Sequence, residues 1–264
     1  MAAGLPAGTH GFYCEEFSLN QQDGSSPREL HPDQRAVLFD IDGTLLRGTR
    51  GREYREEICR MLVELFGTEG RLRDVDFAGR TDLSIYREAL EPAGIAPSVI
   101  RDRLPELQEG SVEVVRRMSR TGQVFYLCAG VRELLDELSN NGHFALSLLT
   151  GNLEKLARTK LHDAGIGGYF RLRGAFGSDA EDRNQLPAIA ASRLAEQLGR
   201  PVPPQRMIII GDTPRDIACA RHYGARAVAV ASGRHTMDQL RQLQPDGLLP
   251  DLSNTEEVLR LLTI

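Results

Sequence analysis

Ala36-Val37-Leu38-Phe39-Asp40-Ile41-Asp42-Gly43-Thr44-Leu45-Leu46 is the stretch on which the fold turns. Its four leading apolar residues are too few for a helix and read as a buried strand. Two carboxylates then stand two residues apart. In a strand, residues i and i+2 share a face, so Asp40 and Asp42 are aimed together at the strand's C-terminal end. Gly43 lets the chain leave through a sharp turn. Two like charges this close repel unless a cation lies between them or one keeps a proton.

Working outward, His143 to Thr150 and Arg206 to Asp212 are two further buried strands, and Ala225 to Ser232 another. Tyr169 to Phe176 is expected to be a short strand. Between them lie helical patterns at Val131–Leu138, Leu153–Ala164, Ala188–Leu198 and Ile217–Tyr223, with a last short helix after Asp251 and Ser253. Short apolar strands alternating with helices predict an α/β, Rossmann-like parallel sheet covered on both faces. Residues 48–123 break this rhythm. Glu53–Phe66, Asp82–Leu90 and Ser98–Met118 carry helical periodicity without strand alternation, which predicts a small helical domain inserted into a core made of 35–47 and 124–264. Residues 1–34, rich in Gly, Pro, Ser, Asn and Gln, are expected to be an irregular tail.

Composition narrows the function. A net charge of -5 provides no general basic surface for nucleic acid. Lys155 and Lys160 are the only lysines, so a catalytic lysine has few places to be. Cys14, Cys59, Cys128 and Cys219 form no Cys-x-x-Cys pair, which argues against a zinc knuckle and for a reduced, cytoplasmic protein. No apolar run is long enough for a membrane span, and the N-terminus lacks the pattern of a signal peptide.

In parallel α/β sheets the ligand sits at the C-terminal strand ends, and here the polar residues collect. The first strand delivers Asp40 and Asp42. The second delivers Thr150-Gly151-Asn152 before a helix, either an N-cap or a phosphate site of hydroxyl and free N–H groups. The third delivers Gly211-Asp212-Thr213-Pro214-Arg215-Asp216, with Asp216 one helical turn beyond Asp212. Carboxylates converging on one sheet edge call for a hard cation, and an all-oxygen donor set favours Mg²⁺ over zinc.

These residues resemble the motifs of the haloacid dehalogenase (HAD) superfamily. Asp40-x-Asp42-Gly43-Thr44-Leu45 is similar to the first motif, Thr150-Gly151-Asn152 to the second and Gly211-Asp212-x-x-x-Asp216 to the fourth. The helical insert lies where the superfamily's C1 caps sit, and the resemblance is nearest to phosphoglycolate-phosphatase-like and β-phosphoglucomutase-like members. It implies that Asp40 is the nucleophile of an aspartyl-phosphate intermediate and Asp42 the general acid/base. It implies further that Thr150, Gly151 and Asn152 hold phosphoryl oxygens and that Asp40, Asp42, Asp212 and Asp216 form the Mg²⁺ site, Asp42 through its carbonyl and Asp216 as ligand or orienter.

The third motif departs from the pattern, which usually has a lysine about 25 residues before the fourth. The window Ser178 to Pro187 has none. Arg183 is the candidate, with Lys160 as the alternative; the other reading of Arg183 is a surface arginine paired with Asp179, Glu181 or Asp182. Arg80, in Gly79-Arg80-Thr81-Asp82 of the insert, either binds the substrate's far end or stands in water beside a helix capped by Thr81 or Asp82. Arg47, Arg50 and Arg52 at the hinge either attract anions or form a solvated charge run. The expected activity is a Mg²⁺-dependent phosphatase acting on a small phosphorylated metabolite. A sugar phosphomutase or a non-catalytic phospho-ligand-binding protein are the alternatives, and oligomeric state stays open.

Overall fold

The computed structural model describes residues 34–264; the expected tail and Cys14 fall, but for Gln34, outside the described residues. The chain runs β1 (Arg35–Phe39), β2 (Leu46–Gly48), α1 (Gly51–Phe66), α2 (Asp82–Leu90), α3 (Pro97–Asp102), α4 (Leu104–Ser119), β3 (Phe125–Leu127), α5 (Val131–Asn140), β4 (Phe144–Leu148) and α6 (Glu154–Asp163). It continues through α7 (Leu186–Leu198), β5 (Met207–Gly211), α8 (Pro214–Tyr223), β6 (Arg226–Val230), α9 (Met237–Arg241), β7 (Gly247–Leu249) and α10 (Thr255–Thr263). The architecture is α/β and Rossmann-like.

One five-stranded sheet has the order β4-β1-β5-β6-β7, and its pairings are all parallel. β1 is central: Val37 stands opposite Leu146 on one side and Ile208 on the other. Strand order reverses beside β1, because the chain goes to β4 on one flank and returns to β5 on the other. Diverging connections leave a crevice above such a switch point. Asp40 emerges directly into it.

The pleat sorts the strand residues between two cores. Val37, Phe39, Ile208 and Ile210 pack with Leu134, Leu138 and Leu262 on one face. Ala36, Leu38 and Ile209 pack with Leu186, Leu194 and Ile217 on the other. The helices between β2 and β3 have their own apolar core, with Ile58, Leu62, Tyr86, Leu107 and Val115. Leu153 and Leu156, at the start of α6, belong to that same cluster, so α6 is anchored in both bodies.

Several local expectations are corrected. Tyr169–Phe176 is not a strand: Gly167–Tyr169 forms a 3₁₀ turn, and Ala175 makes a single bridge to Leu149. The Ser98–Met118 helix is two helices meeting at Arg103. Pro105 lacks the N–H that a continuous helix would use there, so the helix restarts with proline in its first turn. The chain leaves for the helical insert and returns along an antiparallel ribbon, Leu46 opposite Leu127, that three-residue strands did not announce. β7 and the five-residue α9 also had no periodic signal.

Ile209 is 1% exposed at the centre of β5. Ile209→Ala should lower unfolding stability by roughly 2–5 kcal/mol, read by urea denaturation. A loss well below about 1 kcal/mol would mean that this face is not the packed core described.

Candidate active site

The turn after β1 is set by Ile41, whose carbonyl accepts the amides of Thr44, Leu45 and Leu46. Gly43 takes φ 93°, and a Cβ there would come within 2.4 Å of the Asp212 carboxylate. Glycine is therefore required both by the turn and by the approach of β5's end. Thr44 donates to Asp212 Oδ1 at 3.4 Å, and Ser232, after β6, donates to the Gly43 carbonyl at 2.7 Å. The end of a fourth strand thus joins the site; Gly233 directly after an apolar strand was the unused sequence signal for it.

Asp40, Asp212 and Asp216 are buried, and each has a carboxylate oxygen within 4.8 Å of the others. Burial pushes Asp40 up to about 7 against the pull of Arg183, with Asp216 and Asp42 adding to the rise. Burial likewise lifts Asp212 to about 8, reinforced by Asp40 and Asp216. Asp40 and Asp212 raised in this way mark an all-carboxylate pocket short of positive charge, and a divalent cation fits its chemistry. The three are not equivalent. Asp216 Oδ2 accepts from the amide of Thr213 at 2.9 Å and from its hydroxyl at 2.6 Å, and Oδ1 from Arg183 at 2.5 Å. Both its oxygens are occupied, whereas the Thr44 hydroxyl reaches Asp212 at the long distance of 3.4 Å.

Arg183 lies on a 3₁₀ turn, residues Arg183–Gln185, capped by Asp182. It is not a surface residue: at 6% exposure its Nη2 sits 3.2 Å from Asp40 Oδ1 as well as on Asp216. Its expected surface partners are taken, Asp179 by Arg193 and Glu181 by Arg87 and Arg101. Burial works to lower its pKa, but Asp216 and Asp40 hold the guanidinium above its ordinary value.

Lys160 reaches the site as well, on the other carboxylate. Its Nζ is 2.7 Å from Asp42 Oδ2 and 2.6 Å from Asn152 Oδ1. Asn152 Nδ2 donates to the same Asp42 oxygen at 2.7 Å. Two cations therefore divide two aspartates, where the sequence reading set them as alternatives. The Asp42 side chain stands outside the three-carboxylate group.

Thr150 is fully buried at the end of β4, its hydroxyl accepting from Asn152 Nδ2 at 3.0 Å. It is not the N-cap; α6 starts at Glu154 with Leu153 before it. Gly151 and Asn152 line a cavity of about 670 Å³ with Asp40, Asp42, Lys160 and Arg183. Arg47, Arg50, Arg52, Arg80 and Arg234 are also on its walls. The Arg80 guanidinium is turned back on its own helix, 2.5 Å from Glu88 Oε2 and 3.1 Å from the Ser84 carbonyl. Thr81 does cap α2. Asp82, which sequence reading set aside as a local cap, instead reaches out of its helix to the amide of Leu153.

Native protons on Asp40 and Asp212 to about pH 7 and 8 contrast with release near 4 in an unfolded chain. Between those values the native state binds more protons, so its stability falls as pH rises from about 4 to 8. Melts of chelator-treated protein should show Tm dropping across that window, a divalent cation should restore it at pH 8, and Asp212→Asn should flatten the slope. An unchanged slope in Asp212→Asn would count against this arrangement of charge.

The family model for haloacid dehalogenase-like hydrolases matches residues 37–221. A phosphoglycolate phosphatase of Vibrio vulnificus is 25% identical over 84% of this chain and 94% of its own length. A phosphoserine phosphatase of Thermus thermophilus is 32% identical, covering 71% of this chain and 68% of its own. In structure, a predicted phosphoglycolate phosphatase from Haemophilus somnus superposes with a TM-score of 0.60 at 18% identity, over 86% of this chain and 98% of that one.

Proposed function

Since the chain belongs to the haloacid dehalogenase-like hydrolase family, we propose that it is a Mg²⁺-dependent phosphatase that hydrolyses the phosphate monoester of a small metabolite. The observation that carries this reading is the division of labour around the two aspartates after β1. Asp40 lies buried on Arg183, in the company of Asp212 and Asp216. Asp42 lies across from it on Lys160 and Asn152. The similarity to phosphoglycolate and phosphoserine phosphatases supports the same reaction class.

Asp40 is the nucleophile in this reading. Arg183 engages its Oδ1 and leaves the other oxygen to attack phosphorus. The Asp40–phosphorus bond forms as the bond to the leaving alkoxide breaks, and Asp42 gives that alkoxide its proton. Asp42 then takes a proton from water, whose oxygen attacks the aspartyl-phosphate and releases inorganic phosphate and free Asp40. Lys160 and Asn152 fix Asp42 on the cavity wall for both transfers. The Gly151–Asn152 turn and Thr150 hold the phosphoryl oxygens. Asp40, Asp212 and the Asp42 carbonyl would hold Mg²⁺, with Asp216 orienting Arg183 and the Thr213 turn behind them. When bound, the ion supplies positive charge between two anions, nucleophile and phosphoryl group, that otherwise repel.

Arginine on the cavity walls suits anionic substrates. Among these, Arg80 is held by Glu88 and Ser84 and Arg50 by Glu53, Thr121 and the Met118 carbonyl. The helical insert, residues 48–123, acts as the cap that sets substrate choice.

With Mg²⁺ and a panel of phosphoglycolate, phosphoserine, sugar phosphates and p-nitrophenyl phosphate, release of inorganic phosphate is expected for at least one ester. Asp40→Asn should lower kcat by at least about 10³-fold, and Lys160→Met by about 10–100-fold with a smaller effect on KM. Hydrolysis that persists in Asp40→Asn, or none for any ester in wild type, would defeat the proposal.

A further inference from the structure

The start of α6 forms part of the phosphate-binding turn just assigned, yet it lacks a capping side chain of its own. Asn152, the residue best placed to help, is committed elsewhere: to Thr150, Asp42 and Lys160. The amides at the start of α6 find acceptors on other elements: Ser178 takes that of Glu154, and the helical insert supplies Gln108 for Lys155 and Asp82 for Leu153. The Leu153 amide donates to Asp82 Oδ2 at 2.8 Å, across 71 residues of sequence. In return the Asp82 amide donates to the Gly151 carbonyl at 2.7 Å. One cap residue thus grips the turn at both ends, once as donor and once as acceptor.

The surroundings are built for this grip. A Cβ on Gly151 would lie 1.8 Å from the Arg80 carbonyl, so only glycine admits the cap loop at that distance. Thr81 donates to the Glu181 carbonyl at 2.6 Å. Arg183, already on Asp40, donates to the Gly79 carbonyl at 3.2 Å. Residues 79–82 therefore touch the turn after β4 and the arginine behind the nucleophile at the same time.

We propose that Asp82 is a positioning residue: it completes the phosphate-binding turn from the cap, so that the turn takes its binding shape only when the cap loop is seated. The proposal rests on the phosphatase reading for its kinetic consequence, but not for its structural one. A cap loop that lifts away withdraws an N-terminal acceptor from α6 and a donor from Gly151. Phosphoryl binding and cap seating then favour each other, since each stabilises the same turn.

The test compares Asp82→Ala with Asp82→Asn, whose side-chain oxygen still accepts from Leu153. Asp82→Ala should weaken binding of inorganic phosphate, measured by calorimetry, about tenfold, and raise KM for p-nitrophenyl phosphate by a similar factor, with kcat changed less than about threefold. Asp82→Asn should stay within about twofold of wild type. In hydrogen exchange, the Leu153 amide should lose protection in Asp82→Ala while the amides of β4 keep theirs. If Asp82→Ala does not fold, Asp82→Glu keeps the charge, displaces the acceptor by one methylene and should show the same weakened binding. Equal loss in Ala and Asn variants, or unchanged phosphate binding and exchange in Asp82→Ala, would overturn the proposal. A wild-type protein that hydrolyses no ester would overturn the phosphatase reading instead; the phosphate-binding and exchange comparisons would still decide the role of Asp82.

Discussion

Repulsion among three buried carboxylates at the end of a parallel sheet is the constraint around which the molecule is arranged. Asp40, Asp212 and Asp216 crowd carboxylate oxygens together in a poorly solvated crevice, an arrangement that calls for compensating positive charge. Arg183 meets two of them from behind, through one nitrogen of its planar fork. Its reach from a 3₁₀ turn before α7 ties the loop after β1 to the start of α8. The remaining deficit falls on Asp212, which burial beside Asp40 and Asp216 lifts to about 8, and is what a divalent cation would relieve. An arginine in this place does something a lysine would not. It spans two carboxylates and a cap carbonyl at once, with fixed geometry and a charge that persists at every working pH.

The helical insert is tied to the sheet domain by the same geometry. The apolar cluster of the helical insert includes Leu153 and Leu156 of the core. Its loop is met by Arg183 at Gly79, by Arg215 at the Ala78 carbonyl and by Arg234 at Asp76. The Arg234–Asp76 pair is well exposed and contributes little. The buried contacts made by Asp82 and Arg183 carry more, because an unpaired amide or charge left there would be costly. The helical insert and the turn after β4 are thereby joined through a few buried hydrogen bonds.

Much of the fold was legible because its central strands are uninterrupted apolar runs bounded by glycine and aspartate. Residues 36–39 and 207–210 can be buried on both faces and can be little else. The elements that escaped notice are those too short for periodicity, namely the β2–β3 ribbon, β7 and α9. Residues 169–176 had the composition of a strand without a free sheet edge along which to pair. The apolar stripe of Ser98–Met118 runs on through Pro105, but the missing N–H there splits the segment into two helices. Asp40, Asp42, Thr150 and Asp212 were legible as polar residues at strand ends and Asp216 as one helical turn beyond; the structure brings Asp40, Asp212 and Asp216 together. Arg183 and Lys160 were both named but set in competition.

The sequence by itself determined the long buried strands and the helices between them, the sheet edge at their C-terminal ends and the acidic residues that gather there. These follow from local rules: burial periodicity, the two-residue repeat of a strand and the turn chemistry of glycine. Tertiary structure alone decided who partners whom. Arg183 and Asp40 are 143 positions apart and Lys160 and Asp42 are 118 apart; no local spacing encodes either contact. It also decided that Arg80 would fold back on Glu88 while its neighbour Asp82 crossed to α6. Adjacent polar side chains on a loop are equivalent in sequence, and only the packing of that loop against the core selects which of them finds an unsatisfied amide.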